Sequence, residues 1–434
     1  MSADAGAAPE NADLRVAGAG AGGTGRAPDA RVSRPLVALA LVLGVPLWLL
    51  AARALWRTSV PGGLRLSGLD PHADFGARYL ARSASFERFL AFDQLLALVA
   101  LVVVIVLYAR RGERLMRESA AGPIGTGMML GMLGIGLTWL VTVPFDVAAV
   151  WWERRHGISH EGYVQAILGG YLGLAFAFLA ISLALLIAMF LARTLRGWWW
   201  LAAAPVFVGL ALAQSFVSPY LLPDTVSLSR YPGTGSLAAD AHALARREGV
   251  PGTRFAVERV DTPPNAGALG FGASAHVVLT QKLVRGGFTR RQLRVVVAHE
   301  LGHVSHDHIL KGAGWLALLL VPVAGLIALV TRRRGGLARP EAVPLALCVL
   351  VIAGVVATPL RNVVSRRMEA EADWAALQAT HDPAAARAML RRLTTTHLAD
   401  PDPPTLLYVL GTDHPTAMQR IAMAQAWAAR HPGR

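Results

Sequence analysis

Residues 289–331, TRRQLRVVVAHELGHVSHDHILKGAGWLALLLVPVAGLIALVT, run without a break from a polar segment carrying HExxH into an apolar run long enough to cross a bilayer. In the first half, Thr289 stands three residues before Gln292, the spacing of a capping box. Leu293, Val296, Val297, Leu301 and Val304 then recur at helical intervals, so a helix is predicted to begin at Thr289. On that helix His299 and His303 lie one turn apart on one face, and both imidazoles can reach one zinc ion. Glu300 is turned about 100° away and can take a proton from a water polarised by the ion. The competing reading is a pair of surface histidines at a membrane interface.

The second half of the stretch is one of seven apolar runs, at roughly 35–56, 89–109, 122–147, 164–192, 197–217, 310–331 and 342–360. The 434 residues are 54% hydrophobic and 16% charged, with mean hydropathy +0.44. A soluble domain of this length cannot hide that much apolar side chain, and a disordered chain would be poor in it. The expected fold is therefore a mostly α membrane protein, with about seven transmembrane helices and a small α+β insert that carries the zinc chemistry. The expected divisions are a disordered Ala/Gly/Pro-rich tail at 1–34, five helices over 35–217, the insert at 218–309, a hairpin at 310–360 and a polar helical segment at 361–434. Within the insert, Arg254–Val260 and His276–Thr280 read as two strands.

The net charge of +14 comes almost wholly from arginine beside apolar runs, with lysine only at Lys282 and Lys311. These are membrane flanks, and no nucleic-acid partner is expected. The single Cys348, inside an apolar run, excludes a disulfide framework and a cysteine metal cluster.

Catalytic zinc takes three protein ligands and one open position. His306 lies about 10 Å further along the axis than His299 and His308 points away, so neither completes the site comfortably. Beyond the last apolar run, Ser365–Asp373 reads SRRMEAEAD, with Glu369 and Asp373 on one helical face and Glu371 pointing elsewhere. Glu369 would be the third ligand, and Asp373 would hydrogen-bond a ligating histidine. A solvated helix in which Arg366 and Arg367 pair these acids is the alternative. Topology favours the ligand reading, because two crossings separate HExxH from Glu369 and return the chain to the same face.

These motifs resemble the type I CAAX prenyl endopeptidases, integral-membrane gluzincin zinc metallopeptidases related to the heat-shock-linked membrane proteases of bacteria. The resemblance rests on NAGALGFGASAHVVLTQKL (265–283), HELGH followed by His308, SRRMEAEAD, and Asp413-His414-Pro415 with Arg420. It also rests on PFDVAAVWWERRHG (144–157), which is similar to the family's loop after the third span. It implies one zinc per chain on His299, His303 and Glu369, Glu300 as base and Asp373 behind a ligand. It further implies that His414 and Arg420 stabilise the oxyanion and hold the glutamate ligand. Asn265, Ala266 and the strand containing His276, Val277 and Val278 would be the edge along which substrate adds as an extra strand. Peptide or protein substrates, C-terminally lipidated ones among them, and the bilayer are the implied partners. Gly267, where an aromatic residue is common, and Trp374 depart from the family pattern. Asp93, Asp146 and Glu153 lie in or near spans and receive no role.

A multi-pass membrane location follows, the plasma membrane in a bacterium. Arginines are almost equally divided between the two sets of loops, so their bias does not orient the chain. The resemblance implies a cytosolic catalytic face. Neither substrate nor oligomeric state is legible.

Overall fold

The computed structural model describes residues 34–114, 121–222, 224–260 and 262–432. The tail expected over 1–34 lies, but for Arg34, outside the described residues. The chain falls into two units, Met1–Val45 and Pro46–Arg434. The described part of the first is the beginning of helix α1 (Arg34–Leu55); the second holds everything that follows.

Helices come first. A short α2 (Pro71–Phe75) precedes α3 (Ala77–Arg111), α4 (Gly122–His156), α5 (Tyr163–Leu195) and α6 (Trp199–Leu221). Then come β1 (Thr225–Ser227), α7 (Gly235–Arg247), β2 (Arg254–Glu258), β3 (Ala266–Leu269), β4 (His276–Thr280), α8 (Gln281–Arg285) and α9 (Arg290–Ser305). The chain ends in α10 (His308–Thr331), α11 (Val343–Thr380), α12 (Pro383–His397), α13 (Thr405–Gly411) and α14 (Ala417–Arg430).

Among the described residues, five helical stretches are long and apolar enough to cross a membrane: Ala77–Arg111, Gly122–His156, Tyr163–Leu221, His308–Arg334 and Pro340–Thr380. The third contains both α5 and α6, joined by a 3-10 turn at Arg196–Trp198. The run expected at 35–56 falls on α1, where Gly44–Leu55 is a shorter apolar helix. The seven expected runs and the five stretches differ in these two places. Outward-facing side chains such as Phe176 and Leu179 are 74% and 68% exposed, the pattern of helices solvated by lipid. Pro144–His156, expected as a loop, is instead the end of α4, which stops at Gly157 in the left-handed conformation. Neighbouring helices in a bilayer tolerate a proline such as Pro144 inside a span.

Two cores form. One lies among the spans, around Ile105, Leu130, Met189 and Leu347. The other joins both polar segments, with Val257, Leu279, Val297 and Leu301 packed against Trp374, Ile421 and Trp427. The insert and the C-terminal segment are thus one body, connected through α10 and α11. No break occurs near residue 360, because α11 runs as a single helix from the apolar run through the acidic motif.

The sheet has the order β1-β2-β4-β3, with β2 and β4 parallel and the outer pairs antiparallel. This corrects the expected edge. β4 carries His276, Val277 and Val278 but is bonded to β2 on one side and β3 on the other. Its backbone groups are already paired, so it has no free edge to offer. The edge strand next to β4 is β3, which begins at Ala266, so of the expected edge residues Ala266 lies on an edge strand.

Candidate active site and metal centre

The capping box at Thr289 and Gln292 is present at the start of α9, with each side chain accepting from the other's backbone N–H. It fixes where the helix begins, and hence which face carries His299 and His303. Gly302 then sets how closely α11 approaches. A Cβ there would lie 3.0 Å from Ala372 Cα and 3.1 Å from its carbonyl oxygen. Helices in such close contact bring Glu369, one turn before Ala372, to the two histidines.

Ligand atoms of His299, His303 and Glu369 all lie within 4.8 Å of one another. The two Nε2 atoms are 3.2 Å apart. Glu369 Oε2 is 3.2 Å from His299 Nε2, and Oε1 is 3.4 Å from His303 Nε2.

Each histidine is oriented from behind. His299 Nδ1 donates to Asp373 Oδ1 at 2.9 Å, which leaves a lone pair on Nε2. His303 is held through a longer chain. His308 Nε2 donates to Glu371 Oε2 at 3.0 Å, so its Nδ1 accepts from His303 Nδ1 at 2.8 Å, and the His303 Nε2 lone pair also faces the centre. Glu371 is anchored in turn by the Ser59 N–H at 2.5 Å and by Lys311 Nζ at 2.8 Å.

This donor set fits a divalent cation. Two lone pairs and a carboxylate converge on one point, with the buried Glu369 Oε2 facing the histidine nitrogens. Burial opposes charge on His299, yet its bonds to Asp373 and Glu369 lift its pKa to about 10, so the cluster draws positive charge to that point. Nitrogen and oxygen ligands in this arrangement suit zinc.

Glu300, 8% exposed, lines a cleft of about 470 Å³ together with Asn265, Ala266, His414 and Arg420. His414 is half exposed, with Nε2 3.2 Å from Glu369 Oε2 and Nδ1 2.7 Å from Asp413 Oδ1. Arg420 was expected to hold Glu369 or an oxyanion. Instead its Nε and Nη2 form a fork onto Asp373, both at 2.7 Å, and so it grips the carboxylate that orients His299. His276, Val277 and Val278 line no part of this cleft. Arg366 and Arg367 do not pair the acids of the motif. They donate to backbone carbonyls, Arg366 to Tyr408 and Thr412, Arg367 to Trp56. Sequence reasoning missed Glu371 and missed His308 as a support. The available signal was HELGH with a histidine five residues on, paired with a second acid two residues past Glu369.

Peptidase family M48 matches residues 233–428, the segment that contains the whole donor set. With the donor set, this match makes the chain a zinc metallopeptidase. Among similar proteins, the uncharacterized metalloprotease YhfN of Bacillus subtilis is 26% identical over 308 residues, covering 67% of this chain and 71% of that protein. A protease HtpX homolog of Aeropyrum pernix is 32% identical over 123 residues, covering 28% of this chain and 37% of its own. Of solved structures, S. mikatae Ste24p superposes with a TM-score of 0.65 over 90% of this chain and 99% of that one, at 16% identity. The chain therefore shares the Ste24p fold and is a multi-pass membrane protein that hydrolyses peptide bonds.

Proposed function

We propose that this metallopeptidase is an endopeptidase of the M48 type that cuts extended polypeptide segments laid along β3, with no requirement for a lipid group. The observation that carries the reading is the free edge of β3: Asn265 and Ala266, at its start, line the same cleft as Glu300 and His414. A peptide added there as a further strand satisfies its backbone hydrogen bonds on the enzyme and presents a carbonyl to the centre.

Zinc, when bound, supplies Lewis-acid polarisation of that carbonyl and of the attacking water. Glu300 accepts the proton of the water and delivers it to the leaving amide nitrogen. His414, at the cleft wall beside Glu369, is placed to donate to the developing oxyanion. Asp373 and Arg420 act through His299, which they hold in the tautomer that ligation needs.

A second reading, cleavage of C-terminally lipidated tails, is supported by the fold shared with Ste24p and by the motif resemblance to the CAAX endopeptidases. The number of HtpX homologs among the sequence relatives favours the first. We also propose seven crossings, counting α1, α5 and α6 separately, with the zinc site on the cytosolic side. Single-cysteine accessibility in a Cys348-free background tests that arrangement.

The deciding experiment compares farnesylated and unmodified peptides of one sequence, using wild type and Glu300→Gln in detergent. Cleavage of both peptides by wild type, with Glu300→Gln inactive at full zinc content, supports the first reading. Cleavage of the farnesylated peptide alone replaces it with the second, and an active Glu300→Gln removes the assignment of the base.

A further inference from the structure

The sheet has a second face, turned away from its core. Because β2 and β4 are parallel and in register, Arg254 stands directly opposite His276 and Ala256 opposite Val278, all on the face turned away from the Val257–Leu279 core. This face forms one wall of a separate cavity of about 470 Å³, closed by the end of α6 through Pro219 and Leu222 and by His242. None of the described residues lining it carries a carboxylate.

Three features describe what the cavity would hold. The Arg254 guanidinium is exposed, its contacts being to Tyr220, whose hydroxyl it meets at 3.2 Å. His276 Nδ1–H donates to the Ser274 carbonyl at 2.8 Å, so the imidazolium form offers its Nε2–H to an anion. Thr253, in the cavity wall and only 4% exposed, has a hydroxyl with no hydrogen-bond partner. A buried hydroxyl without a partner costs stability unless something else bonds it.

Position narrows the ligand further. The cavity mouth adjoins the last turn of a span, where Tyr220 is 53% exposed and Leu221 73%. An exposed tyrosine at the end of an apolar helix marks the headgroup level of a bilayer, and basic pockets at that level bind phosphate headgroups.

We infer that the cavity between β2, β4 and the end of α6 is a phosphate-ester site, in which Arg254, His276 and Thr253 bind the phosphate of an anionic lipid whose chains lie along the exposed end of α6. The cavity shares no lining residue with the zinc cleft, so its occupancy does not depend on the substrate reading above.

Calorimetric titration of the purified full-length protein in nonionic detergent tests the inference, using dihexanoyl phosphatidylglycerol, dihexanoyl glycerol and inorganic phosphate as probes. Saturable binding of the phosphatidylglycerol is expected, weakened about tenfold in Arg254→Gln by loss of the charge-assisted bonds. Thr253→Val is expected to weaken binding several-fold while leaving thermal stability equal or higher, which a purely structural threonine would not do. Zinc content equal to wild type in both variants confirms that they are folded. Inorganic phosphate competing at similar concentration supports the site with free phosphate as its source, and failure to compete supports the lipid. Binding that is unchanged in both variants, equal affinity for dihexanoyl glycerol, or no saturation by either phosphate probe would overturn it.

Discussion

His308 Nδ1 lies 2.8 Å from His303 Nδ1, so a zinc ligand takes its orientation from another histidine, which is itself fixed by Glu371. The chain of bonds reaches Ser59, in the segment after α1, and Lys311 at the start of α10. Substituting His308→Phe should therefore lower zinc affinity and kcat/KM by about 10- to 100-fold, the usual effect of removing a group behind a ligand. Competition with a chromogenic chelator measures the first, and peptide cleavage the second. Zinc affinity equal to wild type would show that His303 needs no such support.

Gly302 is where α9 and α11 touch. Gly302→Ala places a methyl group 3.0 Å from the Ala372 backbone, which cannot move aside as a side chain would. The cost should be about 1–3 kcal/mol, and the separation should fall on Glu369. Metal content after dialysis against a weak chelator should drop sharply, whereas Gly312→Ala, with no atom within 4 Å of the added carbon, should behave as wild type.

Zinc links α9 to α11, so its removal should loosen the body that the two helices share. At free zinc a hundredfold above Kd the metal contributes about 2.7 kcal/mol to stability. Scanning fluorimetry should show a lower Tm on chelation in wild type and no response in Glu369→Ala, which lacks one of the three ligands.

Glu248, the cap residue after α7, is half-buried with its carboxylate oxygens shielded from solvent, and desolvation raises its pKa from 4.5 to about 8. The folded state then keeps a proton that the unfolded chain releases across this window. Stability must fall as pH rises from about 4.5 to 8, by up to about 1.4 kcal/mol per unit, and level off above it. Glu248→Gln should remove this contribution and raise Tm at pH 8 more than at pH 5. An equal shift at both values would assign the effect to packing.

What could be read from the chain follows from how local each signal is. The α9 helix, its capping box and the i, i+4 histidines are short-range features, and the apolar runs need only composition. β3 was hidden because Ala266–Leu269 consists of small residues with no alternation, and its strand state comes from pairing with β4. Glu371 was hidden for a related reason: its partners are Ser59, His308 and Lys311, up to 312 positions away. Arg420 was visible as a charge near the site. Which carboxylate it holds depended on the packing of α14 against α11.

The donor set is divided along the chain, with two nitrogens on α9, the carboxylate beyond two further spans and the clamp on His299 only at Arg420. A ribosome that has completed α9 has therefore made a peptidase that cannot yet cut. Hydrolytic competence waits until the α10–α11 hairpin has brought Glu369 to the two histidines.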